Sequence, residues 1–221
     1  MMPSGVVLQV GTALLAAAVS GLAQASLPPA RNGLLFGGIG QGPYKPIDDP
    51  AAATRWKAVE DRAKSVKTKL RPLPKADGEF EMVIRKRQSY ESLLIAVALP
   101  LGTHSDREVW VQEEAVSFVE GLRPCYEWEG FSDCPQKEAE FAEFWRKWYP
   151  SSSFREFLPV FASHRWICAA EALEREKNPA EAAAAHARSK KLIAGGLQSA
   201  DPLMRYLARE LERDGRCRTR E

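Results

Sequence analysis

The sequence predicts an all-α protein, antiparallel helical hairpins or a bundle preceded by a disordered leader, and three observations carry that expectation. Capping residues stand directly before proline at Asp49-Pro50, Asn178-Pro179 and Asp201-Pro202, so that a side-chain oxygen marks a helix entrance and proline fills the first helical position. Apolar residues then recur at intervals of three and four, the spacing of one helix face. Glycine and proline end the runs at Gly121, Pro124, Pro150, Gly195-Gly196 and Gly215.

Residues 6–22 form an uncharged apolar run closed by Ala23-Gln24-Ala25, the pattern of a secretory signal peptide spanning residues 1–25. Gln9, Gly11, Thr12 and Gly21 interrupt the run, and a spanning helix needs roughly 20 continuous apolar residues. Export to the periplasm or the extracellular space is therefore expected, with no integral membrane segment after cleavage. The amino terminus alone supplies positive charge ahead of the run. No Cys follows Ala25 directly, which excludes the lipoprotein pattern.

Residues 26–48 hold Pro28, Pro29, Gly33, Gly37, Gly38, Gly40, Gly42, Pro43 and Pro46, a density that predicts a flexible leader. Its glycines do not make a phosphate loop, because no strand precedes them and no Gly-Lys-Ser/Thr ends them.

A helical domain is expected over residues 49–214. Ala52, Trp56, Val59, Ala63, Val66 and Leu70 give the first helix an apolar seam, with Lys57, Arg62, Lys64, Lys67 and Lys69 opposite and Pro72 and Pro74 beyond it. Residues 79–101 read two ways: Phe80, Met82 and Ile84 alternate as in a strand, whereas Tyr90, Leu93, Leu94, Val97 and Leu101 keep helical spacing from about Ser89. Ser105 with Glu108 forms a capping box ahead of Val111, Ala115, Phe118, Val119 and Leu122. The next helix follows Asp133, with Pro135 in its first turn and Phe141, Phe144, Trp145 and Trp148 on one side. Ser153 with Glu156 repeats the box, but Pro159 would then clash inside the helix, which moves the expected start to near Leu158. Phe161, Ala162, Cys168, Ala169, Ala172 and Leu173 continue that helix to about Glu176. Asn178-Pro179-Ala180-Glu181 opens an Ala-rich helix, and Asp201-Pro202 opens the last one, with Leu203, Leu207, Ala208 and Leu211 inward. Residues 215–221 are a basic tail.

This organisation resembles tetratricopeptide-like helical arrays over about residues 105–214. The resemblance rests on Ala139, Phe141, Ala142, Trp145 and Tyr149-Pro150 closing one helix and on Asn178-Pro179-Ala180-Glu181-Ala182 opening another. The early Trp, Leu-Gly and Tyr set of that family is missing, and no second copy at a period near 34 residues is visible. The resemblance implies stacked helix pairs and a protein-binding role; a generic bundle accounts for the same caps and stripes.

Lys and Arg number 31 against 29 Asp and Glu, and this near balance excludes an electrostatic nucleic-acid binder. Cys125, Cys134, Cys168 and Cys217 all follow the expected cleavage site, and an even count in an exported chain favours disulfides. Four cysteines allow three pairings, of which the short separation makes Cys125 with Cys134 the easier, leaving Cys168 with Cys217. There is no Cys-x-x-Cys and no His at finger spacing, so neither a metal nor a cofactor is expected.

Two candidate binding sites emerge. The segment from Cys125 to Cys134 carries Tyr126, Glu127, Trp128, Glu129 and Phe131, rings and carboxylates suited to a peptide or glycan and equally suited to plugging a core. His164 and Trp166 flank Arg165 on a long helix without an accompanying nucleophile elbow, so His164 bonded to a backbone carbonyl, or Arg165 over an aromatic ring, is the structural alternative. Tyr90-Glu91-Ser92 resembles the Glu-Ser pair of lytic transglycosylases, but the Gly-Leu-Met-Gln stretch of that family is absent. Glu91 is thereby the one catalytic candidate. The sequence points to an exported, non-catalytic module that binds a protein or peptide of the cell envelope; the alternative is an envelope glycan hydrolase or lyase using a Glu general acid.

Overall fold

A computed structural model of the chain describes residues 30–35, 46–67, 79–99, 105–122 and 130–217. Among the described residues, seven α-helices follow a π-helical turn at Arg31–Leu35: α1 (Pro50–Lys67), α2 (Glu79–Ala98), α3 (Ser105–Gly121), α4 (Asp133–Trp148), α5 (Phe157–Arg175), α6 (Pro179–Gly196) and α7 (Pro202–Asp214). No strand occurs among the described residues. The helices pack antiparallel, α1 on α2, α2 on α3, α4 on α5, α5 on α6 and α6 on α7, and α7 returns to touch both α1 and α5. That return is bundle-like, since units of an open array touch only their neighbours.

Two helices make the centre. Every residue of α5 from 157 to 170 is buried, and α2 is buried all round from Tyr90 to Val97. A helix apolar on every side must be enclosed by other elements, and α5 is enclosed by α4, α6, α7 and the N-terminal turn. Phe118 of α3 ties the halves together. Its ring lies 5.5 Å from Phe141, 5.5 Å from Trp145, 6.0 Å from Phe154 and 5.9 Å from Phe161.

The entrances follow the sequence closely. Asp49 Oδ1 accepts from the N–H groups of Ala51 and Ala52 at 3.0 Å, Asn178 Oδ1 from Glu181 at 3.4 Å and Asp201 Oδ1 from Leu203 at 2.8 Å. Gly215 ends α7 at φ 59°, a left-handed conformation that glycine adopts without a Cβ penalty. Arg55 to Asp201 (3.0 Å) and Arg209 to Asp49 then tie the α1 and α7 entrances to each other.

Elsewhere the structure departs from the expected elements. Residues 79–98 are one helix, so the alternation of Phe80, Met82 and Ile84 is not a strand; no partner strand exists among the described residues to pair with it. Ser132, not Asp133, stands at the α4 entrance, where Glu176 accepts from its N–H at 2.8 Å and its hydroxyl at 2.6 Å. As the position of Pro159 requires, Ser153 does not cap α5. Instead Glu114 of α3 accepts from the Ser153 N–H (3.0 Å) and the Ser152 hydroxyl (2.5 Å), and α5 begins at Phe157 with Pro159 in its first turn.

The stretch expected as a flexible leader also differs at residues 30–35. Leu34 and Leu35 have no exposed surface, and Ala30 and Arg31 are buried with them, because these side chains find an apolar recess against α2 and α5. The basic tail begins as ordered chain for a related reason. Cys217 is bridged to Cys168, and its N–H donates to Glu171 at 2.8 Å. Closing a loop of 49 residues restricts the unfolded chain by about 4 kcal/mol in the loop-entropy account.

Candidate binding surface

Helix α4 has opposed faces of different chemistry. Pro135, Ala139, Ala142 and Trp145 are its buried residues, and small side chains at 139 and 142 let it approach α5 closely. Phe144 and Trp148 lie on the other side, at 49% and 62% exposure, although the sequence reading put them on one stripe with Trp145. The physical reason is angular: at 100° per residue, positions 144 and 148 fall about 170° from the Ala139 and Ala142 face. The two exposed rings meet at 5.9 Å, tilted by 41°, and Lys147 stands 5.7 Å over Trp148.

The aromatic surface continues past the helix end. Tyr149 is half exposed and lies 4.7 Å from the buried ring of Trp145, whose indole N–H donates to Glu114 at 3.2 Å. Trp110 stands one turn before Glu114 on α3 and is 73% exposed, with Val109 and Val116 also in solvent. Trp110, Trp148 and Tyr149 escaped the sequence reading as surface groups. The available signal was Ala139 and Ala142, whose small side chains already marked the packed face of α4.

Round the circumference of α4, the row Glu140, Phe144, Trp148 adjoins Glu143 and Lys147. Glu140, Glu143 and Arg146 line an open groove of about 610 Å³, opposed by Arg188, Lys191, Leu192 and Gly195 of α6. Glu140 faces Arg188 at 3.8 Å. At the base, Glu143 accepts from the Trp166 indole N–H at 2.6 Å while the Arg188 guanidinium covers the Trp166 ring at 4.6 Å. Two acidic and three basic side chains on one groove suit a ligand carrying both signs of charge, as a peptide does.

Where they are described, the residues singled out from sequence lie on different elements, Glu91 on α2, Phe131 ahead of α4, and His164 and Trp166 on α5. Cys125, Tyr126, Glu127, Trp128 and Glu129 lie outside the described residues, as do the expected signal segment and its cleavage site. Phe131 is exposed at 61% beside Gly130, whose carbonyl accepts from Arg175 at 3.0 Å. Cys134 is half-buried near the start of α4. Glu91 is buried on α2. Trp166 is buried behind Glu143 and Arg188, two residues that line the α4–α6 groove, whereas His164 points into the core.

His164 Nε2 lies 2.8 Å from the Cys217 carbonyl, the backbone partnership expected of a structural histidine. Burial, reinforced by the charges of Arg165 and Arg31, holds its pKa well below the ordinary histidine value, so the ring is neutral. Arg165 meets the second expectation: its guanidinium sits 5.4 Å over Phe161 and 3.3 Å from Glu138. Burial pushes the Glu138 carboxyl up to about 7 against the opposing pull of Arg165. His164, Cys168 and Cys217 have donor atoms within 4.8 Å of one another, but the two sulfurs are bonded to each other and are not thiolate ligands.

Among the described residues, no helix is long and apolar enough to cross a membrane. No protein-family model matches the chain, and no curated protein or solved structure was found to match it.

Proposed function

We propose that this chain is an exported helical module that binds a protein or peptide of the cell envelope through the surface of α3 and α4. The observation that carries the reading is the set of large aromatic side chains left in solvent: Trp110, Phe144, Trp148 and Tyr149. A folded chain that encloses α5 from residue 157 to residue 170 does not lack room for apolar groups, and large apolar side chains left in solvent mark sites of association. Trp and Tyr are the side chains that most often dominate such contacts, because they desolvate a large area with few torsions to fix. The adjoining charged groove supplies orientation, with Arg146, Arg188 and Lys191 facing carboxylates of the ligand and Glu140 facing its cations.

Export is supported by the signal-like segment of residues 1–25 and by the bridge between Cys168 and Cys217, a bond that persists in oxidising compartments. Stacked helix pairs similar to tetratricopeptide arrays remain part of the proposal at the level of α4 to α7, where α5 is shared between α4 and α6.

The test is retention of envelope material by immobilised protein, with Trp110→Ala, Phe144→Ala and Trp148→Ala as variants. Loss of the retained partner at unchanged helicity supports the surface. Undiminished retention by the triple variant overturns it. Loss of turnover on envelope glycan in a folded Glu91→Gln protein would instead establish the enzymatic alternative.

A further inference from the structure

The N-terminal turn sits in its groove as a ligand sits in a peptide site. Its contacts are of three kinds. The Arg31 guanidinium donates to Asp214 Oδ2 at 2.6 Å and to the Arg216 carbonyl at 2.5 Å, beyond the end of α7. Leu34 and Leu35 are wholly enclosed against α2 and α5. The Leu34 carbonyl accepts from the Tyr90 hydroxyl at 3.0 Å, and the Leu35 carbonyl accepts from the Arg165 guanidinium. Charge recognition, two apolar anchors and bonds to the peptide backbone are the elements by which domains bind short segments.

None of these contacts is local. The nearest in sequence, Tyr90 to Leu34, spans 56 residues, and the Arg31 contacts span 183 and 185. Five residues cannot hold a helical turn by themselves, so the groove imposes the shape. The groove walls also have contacts that do not involve the turn, although His164 bonds the Leu35 backbone as well as the Cys217 carbonyl. Glu138 at 3.3 Å and the Phe161 ring at 5.4 Å orient Arg165. The bridge to Cys168, the His164 contact at 2.8 Å and the Glu171 contact at 2.8 Å hold the tail whose carbonyl receives Arg31. A site whose walls have anchors of their own is preorganised to bind its occupant.

We propose that this groove is a binding site for short peptides carrying a cation three residues ahead of two leucines, and that residues 30–35 are its resident ligand, held in cis and replaceable in trans. The site is separate from the α3–α4 surface, and each stands if the other fails. Joined to α1 through residues 36–49, the resident segment has an effective concentration in the millimolar range. It therefore outcompetes a free peptide of about 10 µM intrinsic affinity by about 100-fold.

The probe is a labelled synthetic peptide with the sequence of residues 28–37, titrated into the full chain and followed by fluorescence anisotropy. The Leu34→Asp, Leu35→Asp chain, with its own segment unable to dock, is expected to bind the probe about 100-fold more tightly than the unaltered chain. A probe carrying Arg31→Ala or Leu34→Asp is expected to lose most of that binding. Failure of the helical double variant to take up the probe, or equal uptake by both chains, overturns the proposal. Should the double variant not fold, a specific protease site placed after Gly40 in the otherwise unaltered full chain allows the segment to be cut free in place. Exchange of the freed segment for labelled probe then supports the site, and a nicked, folded chain that never exchanges overturns it.

Discussion

Helices α4 and α5 lie against each other and carry the same kinds of ring, but α5 encloses Phe157, Phe161 and Trp166 while α4 leaves Phe144 and Trp148 in water. The difference is one of neighbours rather than of composition. α5 has elements on every side, so each ring displaces water whatever its angular position. α4 packs on α5 through Ala139 and Ala142 and on Phe118 of α3 through Phe141 and Trp145, and among the described residues nothing covers the opposite side, where Phe144 and Trp148 stand. Burying a Phe side chain contributes about 1.5–3 kcal/mol, so α4 forgoes stabilisation that a simple exchange of positions would have captured. That forgone term is what makes the outer face of α4 informative about binding.

The strongest way to break the comparison is to delete a ring from the enclosed helix. Phe161→Ala removes a side chain packed 5.4 Å from Phe157 and 5.9 Å from Phe118 and takes away the ring under Arg165. A loss of about 4 kcal/mol is expected, combining the transfer of the ring with the cavity it leaves. Urea unfolding measures it, and a loss below about 1 kcal/mol would mean that α5 is not the enclosed centre described above.

The helix ends were legible in the sequence and the contrast between α4 and α5 was not, for identifiable reasons. Asp49, Asn178, Asp201 and Gly215 act at helix ends where the sequence placed them, because a cap is a local bargain between one side chain and the next two or three backbone groups. Ser153 does not cap α5, as Pro159 already implied, but the distant acceptor of its N–H, Glu114, is something spacing alone cannot reveal. The strand-like alternation at Phe80, Met82 and Ile84 gave way to a helix continuous with Tyr90 and Leu93. The docked turn at residues 30–35 was invisible for the same reason as Glu114: its stabilising partners, Tyr90, Arg165 and Asp214, are all remote in the chain. The candidate surface was the least legible feature. Periodicity assigns rings to a face but does not say whether anything covers that face.

The interior charges sharpen the comparison at intermediate size. Glu138 binds its proton more tightly in the folded chain, where its pKa is about 7 rather than 4.5. Its contribution is present in full below about pH 4.5 and is lost as the pH rises through about 7. His164 works in the opposite direction. Its folded pKa is depressed, so the unfolded chain gains a proton that the folded chain refuses, and stability falls as the pH drops below about 6.5, by about 1.4 kcal/mol per pH unit. The two slopes oppose each other as the pH falls below about 6.5 in the unaltered protein. Glu138→Gln removes one of them, and its Tm is expected to fall more steeply on acidification than that of the parent. Parallel Tm profiles for the two proteins would contradict the enclosed placement of Glu138.

The smallest expected effect is also the most discriminating. Phe144→Ala makes the same chemical deletion as Phe161→Ala, on the adjacent helix and at 49% exposure. No cavity forms at a half-exposed position, and what is lost is a 5.9 Å contact with another exposed ring, Trp148. The expected change in unfolding free energy is within about 0.5 kcal/mol, and replacing Phe by the better helix former offsets part of it. If urea unfolding finds a loss approaching that of Phe161→Ala, then Phe144 is covered in solution, and the outer face of α4 is packing surface rather than free surface. If the stability holds while the envelope partner is lost, the same ring that contributes almost nothing to folding contributes to association, which is the division of labour that the two helices imply.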